Sequence, residues 1–393
     1  MEKPVVASYC TTFLKPEMRH IYRQVVGLQR YETFVMTRER MCTDRYPFEQ
    51  IELIPRARKN FIKRFWLKYI RQKPPVYYRG ELQVLIKMMR RRPADLMHVY
   101  FGHTGVHLLP FIHEWSQPCL VSFHGMDIQP RPDQPGYDDQ MRELLLTVPL
   151  VLARSRSLFT ALERWGCAPH KLRLNRTGIP LEDFPFEQRP LPADGAWRFV
   201  QACRLIAKKG LRCAVRAFAR FRADHPLAKF VIAGEGPLRE ELEDLATELG
   251  VRDAVEFCGF LSQADLAKLY AESHVFLHPS EMTSDKNQEG VPNSMLEAMA
   301  TGLPVLATDH GGIPEAVTHE SHGLLVPESD VDALHAAMVR LTADPELCYV
   351  WGQAASRQVR DEFEQRKAIE KLEQFYDEAR ELHREKSVLA GRA

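Results

Sequence analysis

The chain has 393 residues, of which 45% are hydrophobic and 27% charged. That is the balance of a globular protein, and roughly 150 residues per domain predicts two domains. No apolar run approaches the roughly 20 residues that a membrane-spanning helix needs. The net charge of +1 hides an asymmetry: residues 1–182 hold 29 basic and 17 acidic side chains, residues 183–393 hold 24 and 35. The first half is therefore expected to meet something anionic.

In chain order, Pro4–Tyr9 reads as a first strand and not as a signal peptide. The loop Thr11–Pro16 follows, then a helix over Pro16–Leu28 and a strand over Thr33–Thr37. Between Leu53 and Gly80 there are no acids, and Arg56–Lys73 carries eight basic residues. Ile62, Phe65, Trp66 and Tyr69 recur there at helical spacing, which suits either an anionic membrane surface or a solvated helix on its own domain. No nucleic-acid module is recognisable, so nucleic acid is not expected as a partner. A helix over Gly80–Arg92 leads to strands at Leu96–Phe101, Leu120–Phe123 and Leu150–Ala153. A helix over Leu158–Trp165 and a strand at Lys171–Asn175 close the first half. Residues 184–196, rich in proline and polar residues, read as a linker.

The second half alternates more clearly. Strands are expected at Arg198–Cys203, Lys229–Gly234, Ala254–Cys258, His274–His278, Pro304–Thr308 and Gly323–Val326. Helices fall between them at Leu211–Ala223, Leu238–Leu249, Gln263–Ala271, Asn293–Thr301 and Val331–Leu341. The pattern predicts βαβ units and a parallel sheet covered on both faces. Gln353–Glu385 is a long charged helix, which packs either on its own domain or back on the first. The expected domains are 1–183 and 197–352, with 353–393 as the C-terminal helix. Eight single cysteines without a CxxC pair or a zinc-like spacing favour a reducing, cytoplasmic setting.

Chemistry concentrates at Glu289-Gly290-Val291-Pro292-Asn293, which leads into a helix holding Glu297. Free N–H groups at a helix mouth after a strand make an anion site suited to a diphosphate. Glu297 could accept two ribose hydroxyls from inside that helix. The only D-x-D, Asp330-Val-Asp332, reads as a helix cap rather than a metal site.

The segment from Glu289 to Glu297 resembles the E-x7-E region of the retaining glycosyltransferases of family 4. Arg204-Leu-Ile-Ala-Lys-Lys209-Gly210 resembles that family's phosphate clamp. Gly234-Glu-Gly236-Pro resembles its turn after the next strand, and Gly259-Phe260-Leu261 its nucleobase loop. Ser122-Phe-His124-Gly125-Met-Asp127 resembles its H-G-x-D loop, and Asn175-Arg-Thr-Gly178-Ile its hinge. The family's glycine-rich first loop is absent; Thr11-Thr12-Phe13-Leu14-Lys15-Pro16 stands there, most like the bacterial exopolysaccharide and colanic-acid subgroup.

The resemblance implies an α/β chain of the GT-B fold: two Rossmann-like, doubly wound domains facing a central cleft. It implies sugar transfer with retention from a nucleoside diphosphate sugar to a glycan or lipid-linked saccharide. Glu289, His124, Arg204 and Lys209 would be catalytic. Gly234, Gly236, Phe260, Leu261, Gly290–Asn293 and Glu297 would hold the donor. Thr12, Lys15, Asp127 and Gly178 would serve the acceptor side or the hinge. No metal or other cofactor is expected. The chain would be cytoplasmic, resting peripherally on the inner face of the membrane if Arg56–Lys73 binds lipid. The competing readings are an epimerase-like enzyme on the same fold and a non-catalytic, nucleotide-sugar-binding scaffold.

Overall fold

All the strands expected from the sequence form, and they assemble into two parallel sheets. The computed structural model describes residues 2–15, 18–55, 61–71, 75–129, 134, 136–284 and 289–390. Across the first sheet the strands run Ile51–Leu53, Glu32–Thr37, Val5–Tyr9, Leu96–Tyr100, Cys119–Phe123, Val151–Ala153, Leu172–Leu174. The second runs Val255–Gly259, Lys229–Ala233, Arg198–Ala202, Val275–His278, Val305–Thr308, Gly323–Val326. Numbered by chain order within each sheet, both begin 3-2-1-4-5-6. That is the doubly wound order, and its direction reverses between strands 1 and 4, where a crevice opens at the strand ends.

The strands are apolar because both faces are covered. Leu96–Tyr100 is buried throughout. Met97 and Val99 join one apolar cluster with Leu108 and Phe111, while Leu96 joins another. That second cluster pairs Val6, Leu96, Leu120 and Leu152 with Leu372, Phe375, Tyr376 and Ala379 of the last helix, Gln365–Ala390. Each fully buried large apolar side chain there contributes roughly 1.5–3 kcal/mol. Charge completes the contact. Glu373 is buried and accepts the backbone N–H groups of Gln29 at 2.6 Å and Arg30 at 2.7 Å. Tyr31 donates to Asp377 at 2.6 Å.

Two compact units result: 1–176 with 366–393, and 177–365. The division differs from the domain limits read from the sequence in two ways. Residues 184–196 do not link two domains; they pack on the second unit. Phe184 is buried, and a Cβ on Gly302 would lie 2.6 Å from the ring of Phe186. The Arg189 guanidinium donates to the carbonyls of Ala271 and Thr301. Two phenylalanines and an arginine that finds buried carbonyls outweigh the prolines that suggested a linker. The C-terminal stretch is also two helices. Pro345–Glu362 belongs to the second unit and Gln365–Ala390 largely to the first. At the break, Ile179 donates to Phe363 at 2.7 Å and accepts from Gln365 at 3.0 Å.

The sequence reading did not pick out the helices Gly102–Glu114 and Tyr137–Thr147 or the short strand Ile51–Leu53. The first helix is buried nearly all round and carries Pro110, so it lacks the polar face that periodicity detects.

Candidate functional site

In the second unit, the loops after strands 1 and 4 meet where the strand order reverses. Gly210 ends the first of these loops in a left-handed conformation (φ 61°), and a Cβ there would stand 1.6 Å from the carbonyl oxygen of Pro279. Only glycine allows that approach. Glu281 donates its N–H to Lys208 at 3.0 Å, and buried Gln201 donates its side-chain amide to the Lys209 carbonyl at 2.8 Å. Backbone at Glu281 and Lys208 therefore stitches the two loops together, and Gln201 braces the first of them.

This stitching sets the charges. The Lys209 ammonium lies 2.5 Å from a Glu289 carboxylate oxygen, and the Lys208 ammonium lies 3.7 Å from the same atom. All three side chains are only 10–12% exposed. Burial alone would raise the Glu289 carboxyl, but Lys209 and then Lys208 outweigh it and hold it at about 2. Burial lowers Lys208 despite the pull of Glu289. Glu289 is consequently a carboxylate near neutrality, able to accept hydrogen bonds or stabilise positive charge and unable to donate a proton.

Two histidines frame this cluster. Glu289 donates its N–H to His310 Nε2 at 3.0 Å, and His310 Nδ1 lies 2.7 Å from the Glu328 carboxylate. His310 therefore carries its proton on Nδ1. His278, at the end of strand 4, is fully buried and stacks on Phe276. Among the described residues neither of its ring nitrogens has a hydrogen-bond partner. Burial, with help from Lys209, pushes it down to about 3, so it stays neutral. Neither histidine was singled out from the sequence. The available signal for His278 was its place at a strand's C-terminal end.

The other expected donor residues fall around the same strand ends. Arg204 is exposed and makes no ion pair among the described residues. Leu205 donates to Glu235 at 2.9 Å and Gly234 to Gly259 at 2.7 Å, which sets the turn at Gly234 and Gly236 beside Phe260 and Leu261. The Phe260 ring is 43% exposed. The helix Asn293–Ala300 begins after Pro292 with no side-chain cap, so its first N–H groups are uncapped by a side chain. Ser294 anchors it to the Ala202 carbonyl at 2.5 Å, and Glu297 is buried within it. Gly290 faces open space, and its carbonyl side packs on Gly312. Val291 packs against the apolar cluster below. Asp330 caps its helix by accepting from Ala333 at 2.8 Å. A separate cavity of about 270 Å³, lined by Phe186, Arg189, His274, Gly302 and Tyr349, holds none of these site residues.

In the first unit, His124 follows strand 5. Asp127 turns back and accepts from the N–H groups of His124 at 2.9 Å, Gly125 at 2.8 Å and Gly102 at 2.8 Å. Asp127 thus fixes the loop and the start of the helix Gly102–Glu114. Both His124 ring nitrogens are engaged: Nε2 with Ser122 at 2.9 Å and Nδ1 with His20 at 3.1 Å. Burial, then His20 and Arg154, holds His124 well below the ordinary histidine value. Thr12 pairs with Glu39 in a two-residue ladder, and Lys15 is exposed. Gly178 precedes Ile179, which is tied to Phe363 and Gln365. Of the segment Arg56–Lys73, residues 56–60, 72 and 73 lie outside the described residues. Phe61, Ile62, Phe65, Trp66, Tyr69 and Ile70 are all exposed, and Arg71 lies over the Trp66 ring.

The family profile described as "Glycosyl transferases group 1" matches residues 183–358. The amylovoran biosynthesis glycosyltransferase AmsK of Erwinia amylovora is 31% identical over 286 residues, 72% of this chain and 70% of that protein. The putative colanic acid biosynthesis glycosyltransferase WcaL of Escherichia coli is 33% identical over 61% of this chain and 60% of its own length. Among solved structures, Anabaena Alr3699/HepE in complex with UDP superposes with a TM-score of 0.76 at 16% identity, covering 96% of this chain and all of that one. Sucrose-phosphate synthase of Thermosynechococcus elongatus gives 0.73 at 20% identity, covering 96% and 99%. These likenesses assign the GT-B fold.

Proposed function

The chain belongs to the group 1 family of glycosyltransferases, and from that premise we propose that it transfers a sugar, with retention, from a nucleoside diphosphate sugar to a saccharide acceptor in the synthesis of an extracellular polysaccharide. The observation that carries this reading is Glu289 held between Lys208 and Lys209 beside the uncapped helix start at Asn293. A departing diphosphate needs positive charge and N–H donors that are in place before it leaves. Lys208, Lys209 and Arg204 supply the first, and the backbone at Gly290–Asn293 supplies the second. Glu289, ionised and acceptor-only, receives the sugar's hydroxyls and stabilises the positive anomeric centre as the glycosidic bond to phosphate breaks. Phe260 and Leu261 serve the nucleobase, and Glu297 the ribose. His124 is the group of the first unit that touches the transferred sugar.

The reading assigns charge stabilisation to cations of the chain itself, so transfer is expected to survive chelation with EDTA. It also includes a lipid-borne acceptor. The exposed row Phe61, Ile62, Phe65, Trp66, Tyr69 and Ile70, with Arg64, Lys68 and Arg71 beside it, has the composition that settles into an anionic lipid surface. The names of AmsK and WcaL support polysaccharide assembly.

The test is nucleotide release from UDP-, GDP- and ADP-sugars with a lipid-linked saccharide pool, and NMR of the product's anomeric configuration. Release of one nucleoside diphosphate that depends on acceptor, with retained configuration, is expected. Acceptor-independent hydrolysis alone, or an inverted product, would refute the assignment.

A further inference from the structure

The hydrogen bonds at His124 continue through the first unit as a single file. His124 Nε2 meets Ser122 Oγ at 2.9 Å, and Ser122 Oγ meets His98 Nε2 at 2.9 Å. His98 Nδ1 meets the Tyr376 hydroxyl at 2.8 Å. The Tyr376 hydroxyl faces that of Tyr100, and the Tyr100 hydroxyl faces Ser8. Ser8 Oγ lies 3.0 Å from Thr33 Oγ1, which donates to the Val6 carbonyl at 3.0 Å. At the other end, His124 Nδ1 meets His20 Nε2 at 3.1 Å. Ser8, His98, Tyr100, Ser122 and Tyr376 are all buried.

Each hydroxyl and each neutral imidazole in this file has one hydrogen to give. Burial holds His98 at about 3 and His124 well below its ordinary value, so both rings are neutral at neutral pH. A carbonyl can only accept, so the Val6 end fixes the direction. Thr33 gives its hydrogen to Val6, so Ser8 must give to Thr33. Tyr100 then gives to Ser8, Tyr376 to Tyr100, and His98 gives from Nδ1 to Tyr376. Ser122 gives to His98 Nε2, His124 gives from Nε2 to Ser122, and His20 gives to His124 Nδ1. Reversing any one link leaves two hydrogens facing each other or two lone pairs facing each other in a buried place.

We propose that Tyr376, on the C-terminal helix, is a positioning residue that sets the tautomer of His124 through His98 and Ser122. His98 carries its proton on Nδ1 and His124 carries its proton on Nε2, and neither ring can change without the other. The consequence for transfer rests on the reading of His124 as the sugar-side group; the coupling of the two rings does not. The helix that returns from the second unit to the first thereby prepares a ring more than 250 positions earlier in the chain.

Two-bond proton–nitrogen spectra of the full chain, labelled with ¹⁵N-histidine, report which ring nitrogen bears hydrogen. In the unmodified protein, His98 is expected as the Nδ1–H form and His124 as the Nε2–H form. The same tautomer in both, or the two forms exchanged, overturns the proposal without any variant. In Tyr376→Phe, His98 Nδ1 loses its acceptor. A buried N–H without a partner is costlier than a lone pair without one, so the file should reverse and His124 should move to the Nδ1–H form. With Ser122→Ala in the background, the same change at Tyr376 should leave His124 unmoved. A folded Tyr376→Phe protein with an unmoved His124, or a shift that persists without Ser122, overturns the coupling. The turnover number of Tyr376→Phe should fall about tenfold with an unchanged KM for donor. A moved tautomer with unchanged turnover overturns the positioning role. Full activity in His124→Gln would refute the sugar-side reading instead, and the spectra would still decide the coupling.

Discussion

The two units share the strand order 3-2-1-4-5-6 and carry their candidate loops at strand ends, after strands 1 and 4 in the second unit and after strand 5 in the first, yet the chemistry there is opposite in kind. In the second unit the site is ionic: two ammonium groups converge on one carboxylate, and all three are nearly enclosed. In the first unit, strands and helices carry neutral rings and hydroxyls in a directed hydrogen-bonded file that reaches His124. Charge can be concentrated by two short loops because Coulomb attraction tolerates loose geometry. A file of neutral donors needs every member in register, so it recruits residues from across the unit. The shared fold supplies the place, and the residues supply the chemistry.

The ionic site offers the most severe way to break this comparison. Glu289→Ala or Lys209→Ala should reduce turnover about 100- to 1,000-fold, as loss of a preorganised charge does. Steady-state transfer assays on either variant decide it, and a loss under tenfold would show that the second unit's site is not governed by charge.

The same contrast explains what could be read in advance. Arg204, Lys209, Gly210, Glu289 and Asn293 fall within short stretches of chain, and their spacing exposes them. Both sheets were legible because strands covered on both faces read as apolar runs. His20, His98 and Tyr376 were not legible as a set. They lie on a helix, a strand and the C-terminal helix, and no local pattern joins them. His278 and His310 were hidden for a related reason, since a lone histidine at a strand end is usually structural. The supposed linker at 184–196 failed because prolines mark turns without saying whether the turn is packed.

Backbone geometry around the ionic site gives the next largest effect. Gly210 meets the Pro279 carbonyl where a Cβ would stand, and its φ is left-handed, whereas a Cβ at Gly290 meets nothing within 4 Å. Gly210→Ala should cost about 2–4 kcal/mol of stability, and Gly290→Ala under about 0.5 kcal/mol. Urea unfolding of the two variants compares them directly, and equal costs would mean that the loops are not held by this approach.

Acid sharpens the comparison because the two sites respond over different windows. Glu289 is depressed to about 2, so its contribution is complete above the ordinary value of 4.5 and is lost only as the pH falls from there toward 2. His98 is depressed from 6.5 to about 3. Its unfolded form binds a proton that the folded form refuses, so stability is lost as the pH falls through that range. The slope should be about 1.4 kcal/mol per pH unit for this ring. Between pH 6 and 5, where Glu289 is silent, His98→Gln should flatten the dependence of unfolding free energy by about one proton. An unchanged slope would show that the neutral file does not enforce neutrality on His98.

The smallest effect on stability is expected where the first unit turns outward. Phe65 and Trp66 are half-exposed, in a row with Phe61, Ile62, Tyr69 and Ile70, so replacing both with serine removes little buried surface. Stability should shift by less than about 0.5 kcal/mol. Binding is another matter. Inserting two aromatic rings beside Arg64, Lys68 and Arg71 joins apolar transfer to attraction by anionic headgroups. Co-sedimentation with phosphatidylglycerol vesicles should therefore be lost in the double variant. In the unmodified protein it should weaken with salt and with replacement of the anionic lipid by phosphatidylcholine. If the variant sediments as before, or if the unmodified protein ignores lipid charge, this apolar row is a solvated surface, and the basic excess of the first half must be sought elsewhere.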